Sequence, residues 1–230
     1  MEIAKQAEPS ATPRVPLSRE RVLRAAVALA DEAGVESLTM RKLAKELGVE
    51  AMSLYNHVAN KDDILAGIVD IVFSEIELPP RGTDWKTAMR QRAISTRQAL
   101  SHHRWAVGLM ESRMRPGLAN IRLHDSVLGF LRRAGFSVEM AVHAYSVQDS
   151  YIYGFALQEK GFALQRDSMS LGKDDSLAKT MLRQLPPDEY PYIAETVGGY
   201  VTGAGYEFAD EFEFGLDLIL DGLETLRGAG

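Results

Sequence analysis

The run from Leu38 to Lys61, LTMRKLAKELGVEAMSLYNHVANK, limits the fold of this chain more than any other stretch. Thr39 is a good helix N-cap, because its hydroxyl accepts from a free N–H of the first turn. Leu43, Ala44 and Leu47 follow at helical spacing. Gly48 stands just past the last periodic residue, where a left-handed position favours glycine, and Val49 plugs the corner. A second short helix over 51–58 turns Leu54 and Val58 inward at i and i+4. Ser53, Tyr55, Asn56 and His57 are then mostly outward. A helix, a glycine turn and a second helix with hydrogen-bonding side chains outside is the geometry of a helix-turn-helix reader of DNA. The same spacing also describes a plain corner in an all-helical domain.

The flanking sequence keeps the helical period. Residues 1–16 carry Pro9, Pro13 and Pro16 among small and polar residues and read as a flexible arm. Ser18 caps a helix with Val22, Ala25, Ala26, Leu29 and Ala33 on one face, ended by Gly34. A helix over 62–77 presents Ile64, Leu65, Ile68, Ile71, Val72 and Ile76, and Pro79-Pro80-Arg81-Gly82 stops it. Beyond it, Trp85, Met89, Ala93, Thr96, Leu100 and His103 fall at steps of three and four. Arg115-Pro116-Gly117 breaks the chain before a helix over 118–133, closed by Gly135. A long helix follows to about Lys160, its inner face read as Val138, Val142, Tyr145, Asp149, Ile152 and Ala156. Residues 161–176 read as a loop or partly ordered segment, and short helices are expected over 177–184 and 190–201. A last helix over 207–227 carries Phe212, Leu216, Ile219, Leu223 and Leu226 on one side, with Phe208, Phe214, Leu218 and Leu220 beside them. A helix apolar on more than one side is wholly buried or shared with a partner. Near the end of this chain, the second reading is preferred.

This pattern predicts an all-α chain of three parts: an arm over 1–16, a three-helix helix-turn-helix domain over 17–63, and a larger helical domain over 64–230. Its 230 residues, 46% of them hydrophobic, suffice for a real core. No apolar run approaches the roughly 20 residues a membrane span needs. The first ten residues lack an apolar signal core, and there is no cysteine for disulfides or thiolate chemistry. A cytoplasmic location is therefore expected, without membrane contact. Up to Asp62 there are nine Lys or Arg and nine Asp or Glu, so the net charge of −6 lies beyond. A neutral reader region predicts weak non-specific DNA binding, since phosphate neutralisation dominates that term.

Three motifs carry a resemblance to a known family. Thr39-Met-Arg-Lys-Leu-Ala-Lys-Glu-Leu-Gly-Val49, Ser53-Leu-Tyr-Asn-His-Val58 and Asn60-Lys-Asp-Asp-Ile-Leu65 resemble, in that order, the second helix and turn, the recognition helix and the connecting-helix start of tetracycline-repressor (TetR) regulators. A looser similarity to the tetracycline-repressor branch itself runs through Trp85, Arg115-Pro116, Ala134-Gly-Phe-Ser137 and Phe214-Gly-Leu-Asp-Leu-Ile-Leu-Asp-Gly-Leu223. The resemblance implies a helical ligand-binding and dimerisation domain. It implies a transcriptional regulator, with repression the expected direction, that binds a pseudo-palindromic operator as a homodimer and leaves it when a small-molecule inducer binds. The alternative is a helical enzyme or interaction scaffold with an incidental corner.

Nothing in the sequence assembles an enzyme. Gly199, Gly203 and Gly205 follow no strand pattern and precede no Lys-Ser/Thr. His102 and His103 are adjacent, so they face different sides of a helix and do not easily share a metal. No Gly-x-Ser-x-Gly elbow occurs, and no cofactor is expected.

By the family's motif, Ala51, Ser53 and Asn56 take base-edge positions. Arg41 is a candidate for a bidentate pair with guanine, and Asn56 for one with adenine. Met52 is placed to meet a thymine methyl or to pack. Tyr55, His57 and Lys61 match positions that hold phosphates, and Thr39 joins them while capping. For the ligand, the histidine that binds magnesium in tetracycline-binding members is replaced by Glu111, and the one late in the connecting helix falls near Glu77. The Asn and Phe expected after the tryptophan fall near Arg92 and Thr96. These departures argue against a magnesium-bound tetracycline. The expected pocket comprises Met110, Glu111, Met114, Arg115, Tyr145, Asp149 and Gln158, since methionines and aromatics suit an adaptable apolar site. Asp149, on an apolar face, must be paired, exposed or in contact with the ligand.

Overall fold

A computed structural model describes residues 16–110, 116–168, 185–186, 188–201 and 207–228, with the backbone only of 163–168 and 228. Every regular element among them is helical. The chain divides into two compact units at Ile64 and Leu65.

The first unit holds α1 (Arg19–Ala33), a 3-10 turn (Val35–Ser37), α2 (Met40–Leu47), α3 (Ala51–Leu54) and the start of α4 (Lys61–Glu75). Local chemistry sets each boundary. The Ser18 hydroxyl accepts from the Arg21 amide, and the Thr39 hydroxyl from the Lys42 amide, both at 3.2 Å. Gly48 ends α2 at φ 65, a left-handed conformation that a side chain disfavours. Val22, Ala26, Leu43, Leu54 and Val58 close the small core. The reader helix is shorter than the sequence predicts. Only Ala51–Leu54 is α-helical, and Tyr55–His57 form a turn. The His57 and Val58 amides still donate to the Leu54 carbonyl, so Val58 returns to the core.

The second unit holds the rest of α4, then α5 (Trp85–His102), α6 (Val107–Met110), α7 (Leu118–Arg133), α8 (Val138–Ser168), α9 (Pro191–Thr196), a π-helical turn (Val197–Val201) and α10 (Asp210–Gly228). Helix α8 is the axis, packing against α5, α6, α7 and α10. It departs from expectation in length and phase. It continues through Gly161 to Ser168, where a loop was expected from 161. Its buried row is Ala141, Ala144, Gln148, Ile152, Phe155 and Ala156, so the expected Ile152 and Ala156 are inside while Val138 and Val142 are exposed. On α5 the expected row Trp85, Met89, Ala93, Thr96 and Leu100 is buried throughout, with His103 at the C-cap. The expected short helix over 177–184 lies outside the described residues.

Aromatic packing and ion pairs bind α5, α8 and α10 together. Tyr151, Phe155, Phe208 and Phe212 form one aromatic cluster. Arg97 lies over Phe212 and Phe155, 4.8 and 5.1 Å from their centroids, and grips Glu159 through Nε and Nη2. Lys86 and Arg90 of α5 pair with Asp221 and Asp217 of α10. Trp85 Nε1 donates to Glu224 at 2.9 Å. On α10, Phe212, Leu216, Leu220 and Leu223 face inward, whereas Phe214 and Leu218 on the opposite side are 65% and 60% exposed. Leu226 is exposed too, against the expectation that it shares the inner face.

Candidate nucleic-acid interface and ligand site

In the first unit, the predicted DNA-reading residues lie outside a closed core. Leu43 and Leu54 are inaccessible. Thr39, Arg41, Met52, Tyr55, Asn56 and Lys61 are exposed, and Ala51, Ser53 and His57 are half-buried. Met52, at 74% exposure, does not pack within its unit. Arg41 sits in the first turn of α2, and its side chain makes no hydrogen bond or ion pair among the described residues.

The corner that presents these groups is fastened by a clamp that the sequence pattern does not reveal. Arg19, at the start of α1, donates from Nη1 and Nη2 to both oxygens of Asp63, at 2.8 and 2.6 Å, and to the His57 carbonyl at 3.2 Å. Asp63 also accepts from the Ala59 amide, while the Asn60 side chain caps α4 by accepting from the Asp63 amide. The Arg19 hydrogen bonds and charge hold the Asp63 carboxyl below the usual aspartate range, with the Ala59 amide assisting. Charge-assisted paired bonds of this kind fix orientation as well as energy. The clamp anchors the turn that carries His57.

In the second unit, the expected ligand residues separate. Glu111, Met114 and Arg115 lie outside the described residues. Met110 is half-buried at the end of α6, and Gln158 is exposed on α8, so it faces away from the interior. Tyr145 stacks on His124, with ring centroids 4.0 Å apart and planes within 10°. Asp149 is paired: Arg92 Nη2 of α5 donates to it. The Arg92 guanidinium also stands 5.4 Å from the Tyr145 ring centroid.

Arg92 is wholly buried, and Gln148 is 1% exposed. Sequence spacing held a signal for both. Arg92 falls seven residues after Trp85 and three after Met89, on the buried row, and Gln148 continues the row of Ala141 and Ala144. The buried His103 reaches outward through Nε2 to the exposed Glu75 of α4 at 2.9 Å. Earlier on α4, Asp70 Oδ1 accepts from the Ala119 and Asn120 amides, at 2.9 and 3.2 Å, and so caps the start of α7.

Surface grooves lie elsewhere in this unit. One of about 270 Å³ is lined by Leu100, Arg104, Ala156, Glu159, Phe162 and Phe208 among others, and one of about 570 Å³ includes Arg81, Asp125, Phe130, Arg132 and Arg133. Met110, Tyr145, Asp149 and Gln158 line neither. No helix among the described residues is long and apolar enough to cross a membrane.

Comparison with known proteins covers both units. Residues 22–68 match the family described as bacterial regulatory proteins, tetR family, and residues 78–227 the tetracyclin repressor-like C-terminal domain. The chain is 33% identical over 223 residues to the HTH-type transcriptional repressor DrrR1 of Streptomyces coeruleorubidus, covering 95% of this chain and 81% of that protein. It is 32% identical over 216 residues to the class C tetracycline repressor protein of Escherichia coli, covering 92% of each. Among solved structures, the TetR family protein ActR of Streptomyces coelicolor in complex with actinorhodin superposes with a TM-score of 0.74 at 26% identity, over 93% of this chain and all of that one (100%).

Proposed function

The chain belongs to the tetR family of bacterial regulatory proteins and is a ligand-responsive DNA-binding transcriptional regulator, and from that premise we propose how its own residues do the work. It acts in the cytoplasm as a homodimeric repressor, and an organic inducer bound in the second unit releases it from a pseudo-palindromic operator. It performs no catalysis. The observation that carries this reading is the exposed set Arg41, Met52, Tyr55, Asn56 and Lys61 around an inaccessible Leu43 and Leu54.

Roles follow from side-chain chemistry. Arg41 and Asn56 suit bidentate pairing with guanine and adenine, Ala51 and Ser53 line the same base edges, and Met52 meets a thymine methyl. Thr39, Tyr55, His57 and Lys61 hold phosphates and set register. One reader makes few contacts, whereas two readers about 34 Å apart grip successive major grooves on one face of DNA. The exposed apolar side of α10, Phe214 and Leu218, supports a subunit interface, together with Val138 and Val142 of α8. That a relative of similar fold is solved in complex with actinorhodin supports a small-molecule inducer. An inducer releases the operator only if it binds the DNA-free state more tightly than the bound one.

A mobility-shift assay on the DNA flanking the chain's own gene tests the reading. A sequence-selective shift, reversed by inducer, is expected. No selective shift at any salt concentration refutes it.

A further inference from the structure

The larger surface groove of the second unit has a charge that no role assigned so far uses. Its volume is about 570 Å³, and Arg81, Arg132 and Arg133 line it against one carboxylate among the described residues, Asp125. That cationic surplus sits in a chain of net charge −6. None of the three arginines makes an ion pair among the described residues. Two of them are held in place by their surroundings. Arg132 Nη1 donates to the Phe136 carbonyl, which leaves Nε and Nη2 as donors. The Arg133 guanidinium lies over Phe130, 5.0 Å from the ring centroid. Gly129 makes room for it, because a Cβ there would stand 3.0 Å from Arg133 Nη1. Arg132 and Arg133 also offset the negative end of α7, but that end amounts to only about half a charge.

We propose that this groove is a second small-molecule site, and that it takes the dianionic phosphate of an organic phosphate monoester. The inference does not depend on the inducer reading above. Charge selects the anion. Three guanidinium groups against one carboxylate, less the half-charge of the helix end, leave an excess of roughly 1.5 positive charges. A phosphate monoester carries about −1.5 to −2 at neutral pH. A lone carboxylate or a phosphodiester brings a single negative charge and leaves part of the excess unbalanced. Geometry agrees, because a guanidinium fork matches the paired oxygens of a phosphate, and Ser126 adds a hydroxyl donor to the wall. Size favours a small molecule over an acidic protein segment, since the volume lies within the range of small-ligand pockets, about 300–1,000 Å³. The organic part also has a place. Leu78, 41% exposed, and Pro79 line the same groove, and apolar surface left in water gains by being covered.

The test measures binding to the full-length protein by isothermal titration calorimetry at physiological salt. The probes are phenyl phosphate, inorganic phosphate, benzenesulfonate (the same ring with a single negative charge) and phthalate (the same ring with two carboxylates). Phenyl phosphate should bind with a Kd below about 1 mM. It should bind about 10-fold tighter than benzenesulfonate, the loss expected for one charge-assisted hydrogen bond. Inorganic phosphate should bind severalfold more weakly than phenyl phosphate, because it leaves Leu78 and Pro79 uncovered. Arg81→Gln and Arg133→Gln should each weaken phenyl phosphate by about 10-fold, with the circular dichroism spectrum unchanged. Asp125→Asn should tighten it severalfold, a gain that loss of structure cannot produce. Arg122→Gln, on the same helix but outside the groove, should leave the affinity as it is. The proposal is overturned by no saturable binding of phenyl phosphate, by equal affinity for benzenesulfonate, or by a preference for phthalate. Unchanged affinity in Arg133→Gln overturns it too, as does unchanged or weaker binding in Asp125→Asn. Inorganic phosphate that binds as tightly as phenyl phosphate overturns the assignment to an organic ester.

Discussion

The Asp70 cap gives the sharpest stability prediction, because two positions far apart in sequence should fail to act independently. Asp70 Oδ1 accepts from two amides at the start of α7, and Gly117, the N-cap of that helix, lies against the same carboxylate. A Cβ placed on Gly117 would stand 2.1 Å from Asp70 Oδ1. Asp70→Ala removes the acceptor and costs about 1–2 kcal/mol for a lost cap, with about 0.3–1 kcal/mol more for a carboxylate lost from the positive end of a helix. Gly117→Ala has no backbone penalty, since Gly117 sits at φ −73, ψ 172, which alanine adopts freely. Its cost arises from pushing the carboxylate out of the cap, so it loses the same bonds. In the Asp70→Ala background the obstruction is gone. There Gly117→Ala should be neutral or stabilise by about 0.4–1 kcal/mol, through the reduced freedom of the unfolded chain. The double-mutant cycle should therefore show a coupling of about 1–3 kcal/mol. Urea unfolding followed by tryptophan fluorescence measures it cleanly, because both tryptophans, Trp85 and Trp105, belong to the second unit. Additivity of the two changes within about 0.5 kcal/mol would refute the cap.

Three further outcomes are expected. Phe214→Glu or Leu218→Glu should yield folded monomers without operator binding, read by light scattering and circular dichroism; Leu223→Glu should instead unfold the subunit, since Leu223 is inside it. A wild-type monomer at micromolar concentration that still binds its operator tightly would sink the dimer reading. Arg41→Ala and Asn56→Ala should relax base preference, each at about 1–3 kcal/mol for a lost bidentate pair, whereas Lys61→Ala should weaken all operators alike and lower the salt slope by about one. Uniform weakening by Arg41→Ala would reassign that residue to the phosphates. Asp63 has a folded-state pKa below its unfolded value. Its stabilisation is thus complete above the ordinary aspartate range near pH 4 and is lost as pH falls through the lower folded value. The pair is partly exposed, so its contribution should be about 1 kcal/mol or less. Thermal melts from pH 6 to 2 should show Asp63→Asn less acid-sensitive than wild type, and equal slopes would disprove the clamp's role.

Signals confined to one or two turns were legible in the sequence. Ser18 and Thr39 cap where their hydroxyls suggest, and Gly48 takes the left-handed position. The α5 row was readable because its spacing is regular and almost wholly apolar. The first half of helix α8 was misphased for a physical reason, although Ile152 and Ala156 are buried as expected: Val138 and Val142 are apolar yet exposed, while alanines and Gln148 fill the inner row there. Periodicity cannot rank two apolar faces on one helix when the smaller side chains are the buried ones. The segment from 161 read as a loop because its periodicity is weak and its residues are largely polar, yet the helix continues to Ser168, since one glycine costs only about 1 kcal/mol and a helix already under way absorbs it. In the reader, Tyr55-Asn56-His57 kept the outward positions expected of a helix while forming a turn, so exposure was legible and conformation was not.

The polar contacts were beyond reach for a different reason. Arg19 and Asp63 are 44 residues apart, and Arg92 and Asp149 are 57 apart. Sequence marks Asp149 as a carboxylate on an apolar face and Arg92 as a cation on a buried row, but an isolated row says nothing of what lies opposite. Physical chemistry supplies the missing constraint, because a buried charge without a counter-charge is too costly to persist. Two misplaced charges on separate helices of one core are therefore candidates for each other.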